Sequence, residues 1–384
     1  MSPLRSFDIF CRVIDNYGDI GVCWRLARQL SDECGATVRL WVDDLASLHL
    51  LNAQIDPGCV CQHAAGVEIM RWEEELPAVT PADIVVEAFG CGLPERYMEA
   101  MAARNAPVLW LVLEYLSAEP WVREHHGLPS PHPRLPLDRY FFFPGFEPGT
   151  GGVLREAGLF ARRTAFGTAD QHRFWASVGF EPPPAGATVV SLFGYEHAPV
   201  GGLLDAWAQG DVPMVAAIPE GKLVTHALDF FGVTAPTNCH SFRRGNLEVR
   251  ILPFVEQVRY DELLWACDCN FVRGEDSFVR AQWAVRPFVW HVYPQQEGAH
   301  RRKLGAFLDL YCDGLPDAAA EAVRGLWQVW NSDDQRPQAV GTAWRAYWEQ
   351  RRALEAYAPA WAERLAGVGE LAGKLAQFSQ DRIK

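Results

Sequence analysis

Asp8-Ile9-Phe10-Cys11-Arg12-Val13, Ile14-Asp15-Asn16-Tyr17-Gly18-Asp19-Ile20-Gly21 and Val22-Cys23-Trp24-Arg25-Leu26-Ala27-Arg28-Gln29-Leu30 are, in order, a short apolar run, a turn and a stretch of helical period. A short apolar run feeding a helix is the repeating unit of a parallel sheet covered on both faces. The alternation continues outward, with Thr37–Val42, Asp83–Phe89 and Pro107–Leu113 predicted as further strands. Between Gly127 and Thr150 the prolines at 129, 131, 133, 136, 144 and 148 impose an irregular connection, with Tyr140–Phe143 as one strand inside it. Leu154–Phe180 predicts helix, and Glu181-Pro182-Pro183-Pro184-Ala185-Gly186-Ala187 predicts a stiff linker. The alternation then restarts with strands at Thr188–Phe193, Pro213–Ile218, Glu248–Leu252, Cys269–Val272 and Pro287–His291. The fold class is therefore α/β in two successive units, residues 1–180 and 181–349, with the active site expected in the cleft between them. Past about residue 300 the chain reads as helical, and Trp344, Tyr347, Trp348, Leu354, Tyr357, Trp361 and Leu365 form a stripe expected to pack on the body.

A length of 384 residues also suits two domains, and 49% hydrophobic with 22% charged residues excludes a disordered chain. The formal net charge of -13 argues against a nucleic-acid partner, although a few local arginines still suffice to hold a small anion. The ten cysteines are scattered without a C-x-x-C, and are expected to be buried small hydrophobes in a reducing compartment. The N-terminus lacks the order of a signal peptide and no run of ~18 apolar residues occurs, so a soluble, cytoplasmic protein with no membrane partner is expected.

The turn after the first strand is not the G-x-G-x-x-G of a dinucleotide site: it has only Gly18 and Gly21, and offers Asp15 and Asp19 instead. One aspartate can simply cap a helix. Two on one βα turn suit a site that binds a cation or removes a proton, and they repel a phosphate. That places an anionic ligand on the second unit. There, Phe271-Val272-Arg273-Gly274-Glu275-Asp276-Ser277-Phe278 follows a strand and opens a helix, so that backbone N–H groups, Arg273 and Ser277 can hold a diphosphate. Glu275 and Asp276 suit sugar hydroxyls, unless one of them caps the helix. Ile251-Leu252-Pro253-Phe254-Val255-Glu256-Gln257 offers a stacking ring and an amide to a base, with a core role for Phe254 as the alternative. Phe193 and Tyr195 of Ser191-Leu192-Phe193-Gly194-Tyr195-Glu196 close another loop on the same side. His125, His126, His132, His197, His240, His291 and His300 show no metal-ligand spacing, and no G-x-S-x-G elbow occurs, so neither a metal enzyme nor a serine hydrolase is supported.

These residues resemble the EarP family, arginine rhamnosyltransferases of elongation factor P. The resemblance rests on Val13–Arg28, Glu114-Tyr115-Leu116-Ser117-Ala118-Glu119, Phe142-Phe143-Pro144-Gly145-Phe146 with Thr150-Gly151-Gly152, Ser191–Tyr195, Leu252-Pro253-Phe254 and Arg273–Phe278, in family order over nearly the whole chain. It implies a GT-B fold, two Rossmann-like domains facing across a cleft, with the final helices (about 350–384) packing back on the first. It further implies elongation factor P at the first domain and dTDP-β-L-rhamnose at the second, with no cofactor and no metal. Phe254 would stack on thymine beside Gln257, Phe193 and Tyr195 would line the nucleotide pocket, and Arg273, Glu275, Asp276 and Ser277 would hold diphosphate and sugar. The catalytic set would be Asp19 as base, Asp15 as orienting partner, or the converse for these two, and Glu275. The alternatives are a GT-B transferase with another nucleotide-sugar or acceptor, and a non-catalytic partner-binding module.

Overall fold

A computed structural model describes residues 5–15, 17–73, 76–233, 240–295, 298–332 and 337–383. The chain divides into two units, Met1–Ala157 with Arg364–Lys384, and Gly158–Glu363.

Unit 1 contains β1 (Ser6–Cys11), α1 (Gly18–Asp32), β2 (Thr37–Val42), α2 (Leu45–Leu51), β3 (Cys61–Ala64), β4 (Val67–Arg71), β5 (Ile84–Ala88) and α3 (Glu95–Ala102). It continues with β6 (Leu109–Leu113), α4 (Trp121–His125), β7 (Pro129–Pro131) and β8 (Asp138–Phe142). The eight strands are ordered β3-β4-β2-β1-β5-β6-β8-β7, parallel except for the two edge pairs β3–β4 and β7–β8. β5 and β6 are buried at every residue, as strands covered on both faces must be. Their apolar side chains join Phe10, Trp41 and Trp72 in the core, where Phe10 stacks on Trp41 with ring centroids 5.4 Å apart. The strands that the apolar pattern did not predict are the two edge pairs' outer members and β4. β3 alternates exposed with half-buried residues, and β4 carries Glu68 and Arg71, so neither presents an uninterrupted apolar run.

Unit 2 contains α5 (Leu159–Ala165), α6 (Thr168–Ser177), β9 (Thr188–Leu192), α7 (Val200–Ala208), β10 (Met214–Pro219), α8 (Leu223–Phe231), β11 (Ser241–Arg244) and β12 (Leu247–Leu252). After these come α9 (Gln257–Ala266), β13 (Cys269–Arg273), α10 (Asp276–Ala284), β14 (Phe288–His291), α11 (Ala299–Cys312), α12 (Asp317–Trp330) and α13 (Pro337–Glu349). Its sheet runs β11-β12-β10-β9-β13-β14, with only β11 antiparallel. In each unit the first strand is central: the chain winds outward to one side, then returns to the other. The direction reverses between β1 and β5 in unit 1, and between β9 and β13 in unit 2. Such switch points open a crevice at the carboxyl ends of the strands.

The division falls before α5 rather than at 180. Phe174, Trp175 and Val178 of the predicted helical stretch bury with Val189, Val215, Leu252 and Leu263 of unit 2, and the Arg250 guanidinium lies 5.5 Å from the Trp175 ring. The proline run is thus a loop within unit 2. The helical stripe at 343–377 is three helices rather than one: the end of α13, then α14 (Arg351–Val368) and α15 (Leu371–Arg382). Trp344, Tyr347, Leu354, Trp361 and Leu365 are buried, so the stripe is core.

Along α14 the chain passes from unit 2 back into unit 1. There the segment entering α15 is tied down: Gln29 Nε2 donates to Glu370 Oε2 at 2.8 Å and Arg5 Nη1 to the Ser379 carbonyl at 3.0 Å. A Cβ on Gly152, whose φ is +74°, would stand 2.3 Å from the Gly369 carbonyl oxygen, so only glycine allows the two backbones to meet. Cys11, Cys23, Cys91, Cys267, Cys269 and Cys312 are buried as expected; Cys34 and Cys61 are exposed and Cys59 half-buried, because they sit beside a helix end and on the β3 edge. Cys239 lies outside the described residues. Among the described residues, no helix is long and apolar enough to cross a membrane.

Candidate active site

At the switch point of unit 1 the chain leaves β1 and enters α1 through the aspartate turn. Asp19, 2% exposed, sits in the first turn of α1 but does not cap it. Its Oδ2 instead accepts the backbone N–H groups of Ile14 (2.9 Å) and Asp15 (3.0 Å), folding the preceding turn around the carboxylate. Its Oδ1 accepts the Tyr115 hydroxyl at 3.1 Å. A carboxylate has about four acceptor positions. Three are filled here, and the fourth, on Oδ1, has no donor among the described residues. Asp15 is half-buried, and its carboxylate folds back over the helix start: a Cβ on Gly18 would lie 2.9 Å from Asp15 Oδ2.

Tyr115 reaches Asp19 from the far side of β5. Its ring stacks on Phe89 with centroids 4.4 Å apart and planes 15° apart. Phe89, one residue past β5, has a left-handed backbone (φ +57°), a strain of about 1–3 kcal/mol that its surroundings must hold. Beside Tyr115, the half-buried Glu114 carboxyl is pushed up by burial and by the nearby Glu87. This end of unit 1 therefore gathers the carboxylates of Asp15, Asp19, Glu87 and Glu114, while Arg12, just past β1, is exposed and faces Asp43 at 4.0 Å.

The switch point of unit 2 is built around Arg273, the last residue of β13, which is 7% exposed. Its guanidinium lies 4.5 Å from the Phe193 ring and 4.8 Å from the Tyr195 ring, both on the loop after β9. Its buried Nη1 has no hydrogen-bond partner among the described residues. An ionised donor left unmet in a buried place is costly until an anion meets it. Tyr195 is fixed in turn by His291 at the end of β14, whose Nδ1 accepts the Tyr195 N–H at 3.2 Å. Burial drives the His291 ring well below its ordinary value, so it stays neutral and can accept.

The loop after Arg273 turns through Gly274 into α10. Ser277 Oγ accepts the Arg273 N–H at 3.0 Å and donates to the Arg273 carbonyl at 2.5 Å, closing the turn on itself. Glu275 occupies the cap position of α10, half-buried, without a side-chain capping bond. Asp276 does not cap either: its Oδ2 accepts Gln257 Nε2 at 3.0 Å and Arg280 Nε at 3.2 Å. Arg280, buried, also donates from Nη1 to Asp261 Oδ1 at 2.9 Å. Gln257, Asp276, Arg280 and Asp261 thus form one buried chain that fixes the start of α10. Phe254 lies half-buried on the loop between β12 and α9, outside the core cluster.

Each predicted residue therefore lies at a carboxyl strand end or the helix start beyond it. Asp15 and Asp19 come together in unit 1. Phe193, Tyr195, Arg273 and Ser277 come together in unit 2, as do Gln257 and Asp276. Phe254 and Glu275 stand on neighbouring loops. Sequence reasoning did not single out Tyr115, Phe89, His291, Arg280 or Asp261 as site residues. Phe89 follows directly on β5, Tyr115 lies two residues past β6, and His291 ends β14, so strand-end position was the available signal; Arg280 and Asp261 lie inside helices and carried none. Among the described residues, no three His, Cys, Asp or Glu side chains gather so as to hold a metal ion.

Compared with known families, residues 7–380 match the model of the elongation factor P (EF-P) rhamnosyltransferase EarP. The chain belongs to that family. A relative from Pseudomonas putida, named protein-arginine rhamnosyltransferase, is 48% identical over 381 residues, covering 98% of this chain and 99% of its own. A solved structure described as the structural basis for EarP-mediated arginine glycosylation of translation elongation factor EF-P superposes with a TM-score of 0.70 at 37% identity, over 98% of this chain and 99% of that one. A UGT transferase from Siraitia grosvenorii in complex with UDP shares the fold at a TM-score of 0.53 and 10% identity, over 99% of this chain and 100% of that one. The family member described here is thus an enzyme, a glycosyltransferase of GT-B architecture with two Rossmann-like units.

Proposed function

We propose that the enzyme moves L-rhamnose from dTDP-β-L-rhamnose to a guanidine nitrogen of an arginine of elongation factor P, in the cytoplasm and with inversion at the sugar. The observation that carries this reading is the sorting of charge between two switch points of the same topology. Unit 1 presents carboxylates, suited to a cationic acceptor, and unit 2 presents a caged guanidinium, suited to a diphosphate donor.

A guanidinium is protonated at any physiological pH and has no lone pair to attack with. Asp15 orients it, and Asp19 takes its proton through the open position on Oδ1 as the C–N bond forms. The anomeric C–O bond breaks on the opposite face, and the electron pair leaves with dTDP. Arg273 and the backbone N–H groups at the start of α10 carry the diphosphate charge, so that role needs no metal ion. Glu275 faces the sugar as the positive charge develops on its ring. Phe254 stacks on the thymine beside Gln257, Phe193 and Tyr195 line the nucleotide pocket, and Asp276 and Ser277 shape the loop that holds diphosphate and sugar.

The test is incubation with dTDP-rhamnose and elongation factor P, followed by intact mass and peptide sequencing, with UDP-sugars and other dTDP-sugars as competing donors. A gain of one deoxyhexose on one arginine, α-linked by NMR, is expected. Equal transfer from a UDP-sugar, or no transfer from any donor, overturns the reading.

A further inference from the structure

We infer that Tyr115 is a positioning residue of the reaction: its hydroxyl, 3.1 Å from Asp19 Oδ1, aims at the arginine the acceptor position of that carboxylate that no donor among the described residues fills. The inference rests on the proposed role of Asp19 as base, and it starts from an inventory of that carboxylate. Oδ2 is held by two backbone N–H groups from the turn before α1, a fixed pair of donors that clamps one oxygen. With Oδ2 clamped, the carboxylate retains freedom only in how Oδ1 is presented. The Tyr115 hydroxyl removes that freedom by filling one of the two positions on Oδ1, so the proton of the acceptor can go to only one place.

Four further observations show a built device. Tyr115 comes from the segment after β6, whereas Asp19 follows β1, so the bond spans the end of β5 and needs support from it. That support is Phe89, stacked at 4.4 Å on the tyrosine ring. Phe89 in turn is held in the left-handed region at φ +57°, a conformation that a phenylalanine adopts only under constraint. The Phe89 N–H donates to the Leu113 carbonyl at 2.7 Å, two residues before Tyr115, which locks the ring plate to the segment it supports. The remaining titratable neighbours do not substitute for the tyrosine. On β1, the Cys11 thiol is kept neutral by burial and by its thiol hydrogen bond to Cys23 of α1. Asp15 has its carboxylate over Gly18, Tyr17 sits at the helix cap, and Asp43 beyond β2 accepts the Val13 N–H at 2.9 Å while facing Arg12.

Tyr115→Phe keeps the ring and its stack while deleting the donor. The expected result is a kcat lower by about tenfold at neutral pH, with KM for both substrates within about twofold, since orientation and not binding is lost. Phe89→Gly is the second variant: glycine accepts the left-handed backbone, so the chain folds, yet the plate beneath Tyr115 is gone and kcat should fall similarly. Thermal melting and dTDP binding, unchanged in both, exclude a general loss of structure. Tyr115→Phe with wild-type kcat overturns the inference. Asp19→Asn separates the two levels: if it still transfers, the base assignment fails first, and if it is dead while Tyr115→Phe is normal, only the positioning role fails. Absence of transfer by the wild type overturns both.

Discussion

Replacing Arg273 by Met puts the division of charge between the two units to its most direct test. The arginine side chain is 7% exposed, its guanidinium sits 4.5 and 4.8 Å from two aromatic rings, and its Nη1 is buried without a partner among the described residues. A guanidinium held flat in this way presents a planar fork, and a fork suits two phosphate oxygens at once. Each charge-assisted hydrogen bond contributes about 1.5–3 kcal/mol net. Losing two, with partial compensation by water and the helix amides, leaves a deficit of about 3 kcal/mol, or about 100-fold in dTDP affinity. Arg273→Lys keeps the charge but not the fork, and should lose about tenfold. Stability should move the other way or not at all. Methionine fills the slot between the two rings, makes sulfur–aromatic contacts and removes a buried unmet donor that costs about 1–3 kcal/mol. Isothermal titration with dTDP and urea unfolding of the same preparations read both quantities. Wild-type dTDP affinity in Arg273→Met refutes the assignment. A loss of affinity accompanied by a fall in stability of more than about 3 kcal/mol refutes the reasoning too, because it makes the arginine a structural element of the sheet.

Asp19→Asn should abolish transfer, a loss of at least about 100-fold in kcat, while dTDP binding measured by titration stays at the wild-type value. Arg280→Met leaves Asp261 and Asp276 without their shared guanidinium, which lies 2.9 and 3.2 Å away, and should destabilise unit 2 by about 3–5 kcal/mol in urea unfolding while weakening dTDP. The docking of α15 should be acid-sensitive through His126, whose ring is pushed down to about 4 by burial first and by Lys374 next. A histidine depressed in the folded state is protonated first in the unfolded one. Its stabilising contribution is therefore full above the ordinary value of about 6.5 and is lost as pH falls toward about 4. Hydrogen exchange of the α15 amides should speed up across that window in the wild type and less so in His126→Gln.

How much of this was legible beforehand varied with burial. β2 was predicted to the residue, and β5, β6, β10 and β12–β14 within about two, because strands covered on both faces must be written as unbroken apolar runs. The edge strands β3, β7 and β11 were not legible: one side of an edge strand meets solvent, and Cys61–Ala64 or Ser241-Phe242-Arg243-Arg244 carries no such run. The domain boundary was drawn at the proline run because composition shifts there. Burial of Phe174 and Trp175 on the second sheet puts α6 on the other side of the line, and no local pattern announces which of two sheets an amphipathic helix will cover. The candidate site residues on βα turns could be placed at the carboxyl ends of the strands because topology dictates where such turns lie. Tyr115 could be placed near them only by quotation of its motif, since its bond to Asp19 spans 96 positions of sequence.

The aspartate turn also shows how one topology serves opposite charges. A Rossmann-like first turn ordinarily receives an anion, because helix N–H groups converge there and glycines let the ligand approach. In unit 1 the protein supplies its own anion: Asp19, in the first turn of α1, accepts two N–H groups of the turn and a phenol, and so occupies the place a phosphate would want. In unit 2 the equivalent turn after β9 contributes aromatic rings, and the anion's place is kept by Arg273 from the adjacent strand across the switch point. On the proposed reading, the internal carboxylate turns the first crevice from an anion site into a cation site without altering the fold around it. Removal of the charge at that one position should therefore redirect the turn: Asp19→Asn, which removes the internal anion but retains acceptor and donor atoms, should let unit 1 bind inorganic phosphate or sulfate weakly where the wild type binds none. Equal anion binding by both proteins, measured by titration with Arg273→Met in the background to silence unit 2, would show that the carboxylate is not what excludes the phosphate.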